Sequence, residues 1–246
     1  MEVNKKIIFI KDWILNYVES MPKKAESLVI GISGGIDSSV SSTLSAMTGL
    51  RTIVLSMPIK QKNFQHDLSL AHQEWLKNNF KNVEGHTIEL DNLFKSFEGT
   101  LKHFSNEHGM ANSRARLRMV TLYQVAAAKN GIVVGTGNKI EDFGVGFYTK
   151  YGDGGVDISP ISDCNKSQVW EMGKNLGILK EIIDAQPTDG LWDDGRTDVK
   201  QLGMSYKELE KAMKDKKSKG YDKYLEIRKK NLHKMKPIPV CVMDDE

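Results

Sequence analysis

The sequence predicts an α/β fold of three layers, in which a mostly parallel sheet is flanked by helices on both faces. Two observations support this prediction: short apolar runs alternate with helical segments along the first 140 residues, and two of the runs end in glycine-rich turns. Such alternation builds a parallel sheet because each helix carries the chain back to the same end of the sheet. Both glycine-rich turns then face one crevice at the carboxyl ends of the strands, where such sheets bind ligands.

The elements are predicted from hydrophobic spacing and from residues that begin or end helices and strands. The first helix is amphipathic because Ile7, Ile14 and Val18 recur at helical spacing. Asp37 favours the start of the second helix, and Pro58 ends the second strand. The predicted strands cover residues 28–32, 51–57, 86–90 and 131–138, and the predicted helices cover residues 5–20, 38–47, 66–80, 111–129 and 166–178.

After residue 140 the alternation stops. Residues 150–162 are rich in loop formers, and residues 187–203 are polar and irregular, a length of loop that is usually functional or mobile. Residues 205–234 combine lysines with helix formers, which predicts a solvated helix face. Since neither a repeat nor a linker divides the chain, we expect residues 1–246 to form a single domain.

Composition excludes several classes of protein. A net charge of +3 is too small to indicate a nucleic-acid partner, and 39% hydrophobic residues are ordinary for a soluble protein with a real core. Cys164 and Cys241 stand far apart and form neither a zinc motif nor a disulfide framework. The sequence has no secretion signal and no apolar run of the roughly 20 residues that a membrane helix needs. We therefore expect a cytoplasmic protein without membrane or nucleic-acid partners.

Residues 33–38 read SGGIDS and follow a buried strand directly. Glycines let backbone N–H groups approach a phosphate closely, and the following helix N-terminus adds partial positive charge. Asp37 would repel a bare polyphosphate, so its presence indicates Mg²⁺ between the acid and the phosphates. The pattern predicts a phosphate loop that works with a metal; a tight turn that binds nothing is the alternative.

The loop differs from the two commonest phosphate-binding motifs. No GxxxxGK[ST] sequence occurs, and no GxGxxG turn follows the first strand. SGGIDS instead resembles the SGGxDS signature of the ATP pyrophosphatases, the PP-loop enzymes. The resemblance implies a Rossmann-like fold of the adenine nucleotide alpha hydrolase type, and cleavage of ATP between the α- and β-phosphates to give AMP and pyrophosphate.

Four further stretches resemble one branch of these enzymes, the ammonia-dependent NAD synthetases. They read ANSRARLRM at residues 111–119, GTGNKIED at 135–142, TKYGDGGVDISPI at 149–161 and HKMKPIPV at 233–240. All four occur in the order that the family shows, and KYGDGG is the most diagnostic of them. The resemblance extends over nearly the whole chain.

The resemblance implies a role for individual positions. Asp37 and Lys166 would be catalytic, and Asp37 and Glu141 would bind Mg²⁺. Lys166 opens a helix, where its charge is unfavourable unless an anion lies nearby. The implied ATP-binding residues are Gly31, Ile32, Ser33, Gly34, Gly35, Ile36, Asp37, Ser38, Thr136, Lys166 and Thr188. The implied deamido-NAD-binding residues are Arg116, Lys150, Asp157, His233 and Lys234; a local pairing role for Glu141 and a surface role for His233 stay open.

The reaction that the resemblance implies is the last step of NAD biosynthesis, in which a ligase forms an amide bond. Deamido-NAD, ATP and ammonia give NAD, AMP and pyrophosphate through an NAD-adenylate. Ammonia is the expected nitrogen source because no glutaminase domain is recognisable ahead of residue 28 and neither cysteine lies in a nucleophile motif. The family also implies a homodimer, and residues 187–203 are the candidate lid over the adenylate.

Two other functions are also compatible with the phosphate loop. Another PP-loop enzyme, such as a GMP synthetase core or a tRNA thiolase, would keep the loop but change the acceptor, and a non-catalytic ATP binder would not need the acid pair. Arg114 and Arg118 are expected at the surface or in an interface. The loop after Pro58 departs from the family pattern, which leaves open whether substrate is contacted by Lys60, Gln61, Lys62 or Asp67.

Overall fold

Four strands in the described part of the chain form one parallel sheet. Across the sheet they lie in the order third, second, first and fourth, counted along the chain. The computed structural model describes residues 1–60, 63–192 and 195–243. The strands are β1 (Ser27–Gly31), β2 (Arg51–Ser56), β3 (Val83–Thr87) and β4 (Gly131–Val133). From β1 the chain moves outward through β2 to β3 and then returns to the opposite side of β1. The order therefore reverses between β1 and β4, the position where open α/β sheets bind ligands.

Helices flank the sheet on both faces. They are α1 (Val3–Ser20), α2 (Ile36–Met47), α3 (Asn63–Asn79), α4 (Asp91–Thr100), α5 (Glu107–Ala128), α6 (Lys166–Asn175), α7 (Lys180–Asp184), α8 (Asp198–Leu202), α9 (Tyr206–Lys214) and α10 (Tyr221–Met235). A 3₁₀ turn covers Lys102–Phe104, and a π-helical turn covers Ile140–Val145. Within the described residues, no helix has the length and apolar character needed to cross a membrane.

Three apolar clusters hold these layers together. On one face of the sheet, Ile14 of α1, Leu44 of α2 and Val169 of α6 are buried in a single cluster. On the other face, Phe94 of α4 packs with Ile53 and Val133 of the sheet. A third cluster joins Ile140 of the π-helical turn to α8, α9 and α10. The predicted three-layer α/β fold is confirmed, and the third cluster fixes the turn that carries Glu141.

Several predicted boundaries are wrong. β3 begins at Val83 rather than residue 86, since pairing with β2 sets its position and its half-exposed residues form no apolar run. β4 ends at Val133, beyond which Val134 makes only an isolated bridge to Ile158. The lysine-rich stretch 205–234, for which no helix bounds were predicted, forms two helices, α9 and α10. α4 was not predicted; Phe94 is its one buried residue, too weak a pattern for periodicity to reveal.

A buried polar contact joins α2 to α3 beneath the phosphate loop. His72 has no exposed surface, and its Nε2 lies 3.0 Å from Ser42 Oγ. Its Nδ1 has no hydrogen-bond partner among the described residues. Burial lowers the pKa of His72 to about 4, so the ring is neutral in the folded protein at pH 7.

We predict that His72 makes folding sensitive to mild acid. Its unfolded pKa is about 6.5 and its folded pKa is lower, so the unfolded chain takes up the proton first and stability falls as pH drops. From pH 7 to pH 5 this residue should remove about 2 kcal/mol from the free energy of unfolding. Urea titrations at both pH values should show that loss reduced in His72→Gln and retained in the exposed control His86→Gln. An equal loss in His72→Gln would refute the assignment.

Candidate active site

The loop between β1 and α2 has the conformation of a phosphate cradle. Gly34 has φ +82°, and its Cα faces α3 so closely that a Cβ would lie 2.8 Å from the Gln65 carbonyl oxygen. The Gly35 N–H donates to Ser33 Oγ at 3.2 Å, and Ser33 Oγ lies 3.1 Å from Ser38 Oγ. The hydroxyls and the N-terminus of α2 therefore meet in one short loop, beside the point where the sheet order reverses.

A cavity of about 640 Å³ opens over this loop. Its walls come from the phosphate loop, the turn after β4, the start of α6, residues 184–191 and residues 195, 197 and 198. All of the residues predicted to bind ATP line it, namely Gly31, Ile32, Ser33, Gly34, Gly35, Ile36, Asp37, Ser38, Thr136, Lys166 and Thr188. The fold thus gathers positions up to 157 residues apart in sequence around one space, and their contact with ATP remains a prediction.

A buried lysine joins the two acids predicted to bind Mg²⁺. The Lys166 ammonium contacts Asp37 Oδ2 and lies 3.0 Å from Glu141 Oε1, and Lys166 is only 2% exposed. Asn138 Nδ2 donates to the other oxygen of Asp37 at 3.0 Å. Burial by itself would lower the pKa of Lys166, but the attraction of Asp37 and Glu141 outweighs it and raises that pKa. The lysine is therefore charged, and its single positive charge offsets part of the charge of the acid pair.

Three more carboxyl groups line the cavity, and the sequence did not single them out as site residues. Asp198 is a buried residue, Asp142 is half-buried and Asp153 is exposed. Desolvation of the carboxyl groups raises the pKa of Asp142 to about 8, of Asp198 to about 7 and of Asp153 to about 6. Asp142 and Asp153 lie in the wall shared with a second, smaller cavity of about 170 Å³. Asp142 and Asp153 belong to two of the stretches that carry the family resemblance, and Asp198 lies in the candidate lid. The desolvation that perturbs these groups is not visible in the sequence.

The residues predicted to bind deamido-NAD are not gathered in the same way. Lys234 lines the smaller cavity, where its Nζ donates to the Tyr148 carbonyl oxygen at 2.7 Å and lies 5.1 Å from the centre of the Tyr148 ring. Burial lowers the pKa of Lys234. His233, one residue earlier on α10, is exposed.

The remaining three residues of that set line neither of these cavities. The Arg116 guanidinium donates to the Lys150 carbonyl oxygen at 3.3 Å. Asp157 accepts from the Val133 N–H at 2.7 Å and from Tyr123 Oη at 3.1 Å, so it is tied to β4 and α5. Their part in substrate binding stays a prediction.

The expected surface positions of Arg114 and Arg118 are wrong. Arg114 is 6% exposed, lies over the Phe94 ring and donates to the Leu191 carbonyl oxygen at 3.0 Å. Arg118 lines the main cavity, and its Nε donates to the Met57 carbonyl oxygen at 2.9 Å. Its Nη2 is buried without a hydrogen-bond partner among the described residues, which makes it an available donor for an anion. The two arginines are four residues apart on α5 and share one face, but the sequence did not show that this face points inward.

The candidate lid, residues 187–203, forms part of the cavity wall. Thr188 Oγ1 donates to the Arg196 carbonyl oxygen at 3.0 Å. The segment is not wholly irregular, because Thr197 caps the short helix α8 by accepting from the Lys200 N–H. Residues 193–194 lie outside the described part of the chain.

The structure of the stretch after Pro58 does not decide which of its residues contact substrate. Lys60 pairs with Glu98 at 2.8 Å, and Asp67 lies on α3. Neither lines the main cavity. Gln61 and Lys62 lie outside the described residues.

The acid pair suits a metal that arrives with its own ligands. In the described part of the chain, no group of three or more His, Cys, Asp or Glu is placed to hold a metal ion. Mg²⁺ typically binds through one or two carboxylates, with phosphate oxygens and water completing the octahedron. Asp37 and Glu141 meet that requirement, since both already contact one cation, the Lys166 ammonium.

The fold and the site define an α/β protein of the nucleotide-binding class, with a glycine-rich loop beside a buried acid pair and no lysine within that loop. The family model described as NAD synthase matches residues 6–241. The chain belongs to the NAD synthase family, as the resemblance of its motifs predicted.

Comparisons with individual proteins agree with that assignment. A relative from Alkaliphilus metalliredigens named NH(3)-dependent NAD(+) synthetase is 34% identical over 249 residues, which cover 97% of this chain and 99% of that protein. The structure of NMN synthetase from Francisella tularensis is similar with a TM-score of 0.90 and 33% identity, covering 99% of this chain and all of that one. The NH3-dependent NAD synthetase from Campylobacter jejuni has a TM-score of 0.78 and 25% identity, with 98% and 100% coverage.

We predict that Gly34→Ala destabilises the protein more than Gly49→Ala. Both glycines have φ near +80°, so an alanine at either should cost about 1 kcal/mol of backbone strain. A Cβ at Gly49 meets nothing within 4 Å, whereas at Gly34 it lies 2.8 Å from both the Gln65 carbonyl oxygen and Leu68 Cβ. Overpacking should add about 1–3 kcal/mol at Gly34, measured by urea unfolding. Equal losses in the two variants would show that the loop does not pack tightly on α3.

Proposed function

We propose that the protein amidates deamido-NAD with ammonia, using ATP and Mg²⁺ and releasing AMP and pyrophosphate. The observation that carries the proposal is the cavity over the phosphate loop, where Lys166, Asp37 and Glu141 meet. Membership of the NAD synthase family and the printed names of the relatives support the same reaction. The protein is a ligase that acts in the cytoplasm.

In the first step an oxygen of the nicotinate carboxylate attacks the α-phosphorus of ATP, and the bond to the β-phosphate breaks. The loop N–H groups and the N-terminus of α2 would hold the departing pyrophosphate. Lys166 would turn from the acids to the phosphates and stabilise the charge that develops there. Mg²⁺, when bound to Asp37 and Glu141, supplies charge neutralisation at the phosphate oxygens.

In the second step ammonia attacks the acyl carbon of the adenylate, AMP leaves and the nitrogen loses a proton. Asp153 lies in the wall shared by the two cavities, and its pKa of about 6 suits a proton acceptor near neutral pH. Water must stay out because it would hydrolyse the adenylate. The candidate lid, residues 187–203, would cover the adenylate, and its residues 187–191, 195, 197 and 198 line the cavity.

A second candidate acceptor is nicotinate mononucleotide, which would give NMN by the same chemistry. The observation that favours it is the similarity to the Francisella tularensis NMN synthetase, with higher TM-score and identity than the Campylobacter jejuni NAD synthetase. In addition, Arg116, Lys150 and Asp157 line neither of the two cavities described above. They therefore do not form a wall there for the second nucleotide of a dinucleotide.

The cleavage chemistry predicts that pyrophosphate release depends on the acceptor and on Asp37. Wild-type protein with ATP, Mg²⁺ and ammonium should release pyrophosphate only when a nicotinate nucleotide is present, and Asp37→Asn should lower kcat by about a hundredfold or more. The exposed control Asp163→Asn should keep wild-type activity. Release with a purine or tRNA acceptor would indicate another PP-loop enzyme, and ATP binding without release would indicate a non-catalytic binder.

Substrate choice is tested by a four-way comparison of kcat/KM. Deamido-NAD or nicotinate mononucleotide is combined with ammonium or glutamine, and we expect deamido-NAD with ammonium to be the fastest pair. Preference for the mononucleotide by tenfold or more would replace the primary proposal with the second candidate. Efficient use of glutamine by the purified chain would contradict the proposed nitrogen source.

We also propose a homodimer, as the family resemblance implies. The outer side of α1 exposes Phe9 and Trp13, and α5 exposes Val120, so two helices offer apolar surface to a second copy. Sedimentation velocity should give a species of about 55 kDa, twice the chain mass of 27.7 kDa. A fully active species of single-chain mass would refute the dimer.

A further inference from the structure

Tyr206, the first residue of α9, links Glu141 to the segment that covers the cavity. Its hydroxyl oxygen lies 2.6 Å from Glu141 Oε1 and 2.8 Å from Asp198 Oδ2. Asp198 is the first residue of α8, within the candidate lid. The face of the Tyr206 ring lies 4.6 Å from Lys166 Nζ. One buried side chain thus contacts the acid, the lysine and the lid.

The number of available protons decides which groups donate and which accept in the hydrogen bonds of Tyr206. A tyrosine hydroxyl carries one proton, so it can donate to only one of two carboxylates. Glu141 also accepts from the Lys166 ammonium at 3.0 Å, and it lies nearer to the Tyr206 hydroxyl than Asp198 does, so we assign the Tyr206 proton to the hydrogen bond with Glu141. Asp198 must then hold a proton and donate it to Tyr206 Oη, while Tyr206 donates to Glu141.

The surroundings of Asp198 agree with a neutral carboxyl group. Asp198 is 4% exposed, and its Oδ1 has no hydrogen-bond partner among the described residues. A buried oxygen without a hydrogen-bond partner costs far more free energy on a carboxylate than on a neutral carboxylic acid. Burial, with repulsion from Glu141, also raises the pKa of Asp198, although Lys166 acts in the opposite direction.

We propose that Tyr206 is a positioning residue whose hydroxyl, accepting from Asp198 and donating to Glu141, couples the placement of residues 195–203 to the orientation of Glu141. When these residues leave the wall, Tyr206 loses its donor, and Glu141 loses a polarised hydrogen bond. The acid pair then reaches its working geometry only with the cover in place. This consequence for the metal rests on the proposed function; the mechanical coupling itself does not.

Limited trypsin digestion of the full chain tests the coupling without any substrate. Trypsin cleaves after Arg196 and Lys200, which lie on either side of Asp198. Tyr206→Phe keeps the ring and removes the hydroxyl, and cleavage at these sites should become about tenfold faster because a hydrogen bond between buried groups is lost. Tyr17→Phe, on the distant helix α1, is the control and should be cleaved at the wild-type rate.

Two variants of Asp198 test the direction of the hydrogen bond. Asp198→Asn is neutral and still has a donor for Tyr206 Oη, so its cleavage rate should stay within about twofold of wild type. Asp198→Ala should be cleaved as fast as Tyr206→Phe, and the double variant should be no faster, because both changes break one link. Wild-type cleavage in Tyr206→Phe, or equal rates in the Asn and Ala variants, would overturn the proposal. If Tyr206→Phe does not fold, the two Asp198 variants still decide.

A second measurement extends the test to the reaction. In Tyr206→Phe the Mg²⁺ concentration for half-maximal activity should rise about fivefold or more, with the KM for ATP within twofold of wild type, since the loop that holds the phosphates is intact. A rise in KM for ATP alone would overturn the positioning role. Absence of pyrophosphate release in the wild type would refute the proposed function and leave the trypsin result to judge the coupling.

Discussion

The buried ion pairs of Lys166 with Asp37 and Glu141 are the interaction on which the rest of the site depends. Two carboxylates and a lysine that is 2% exposed share one pocket, and each would be costly to bury alone. Because the ammonium offsets part of the charge of the two acids, it favours formation of the site without a metal. The same arrangement holds both acids where a divalent cation with phosphate ligands would need them.

The topology of the sheet brings these three residues together. Asp37 follows β1, Glu141 follows β4 and Lys166 begins α6, so all three lie at the edge where the strand order reverses. Apolar packing supports each of them: α2 and α6 share a cluster with the sheet, and the π-helical turn that carries Glu141 is buried against α9 and α10. A substitution that disrupts this apolar packing would disturb the alignment of Lys166, Asp37 and Glu141.

The sequence predicted the parts of the site whose chemistry is local. A strand, two glycines and an acid in SGGIDS indicate a phosphate loop because the backbone that binds phosphate is contiguous. A role for Lys166 was implied by the family resemblance and supported by its place at a helix start, and the structure supplies the anions that this place requires. Tyr206 was missed because its importance comes from contact with Glu141 across 65 residues of chain, and Asp198 was missed because it reaches Glu141 only through the Tyr206 hydroxyl. Arg118 was misplaced because spacing along a helix does not say which face is inside.

Manganese binding measured by electron paramagnetic resonance, in the absence of nucleotide, tests the central claim most directly. If the Lys166 ammonium occupies the position of a cation between Asp37 and Glu141, Lys166→Met should bind Mn²⁺ at least about tenfold more tightly than wild type, because a close like charge has been removed. Adding Asp37→Asn to that variant should abolish the gain. Mn²⁺ binding by Lys166→Met that is no tighter than wild type would contradict the account.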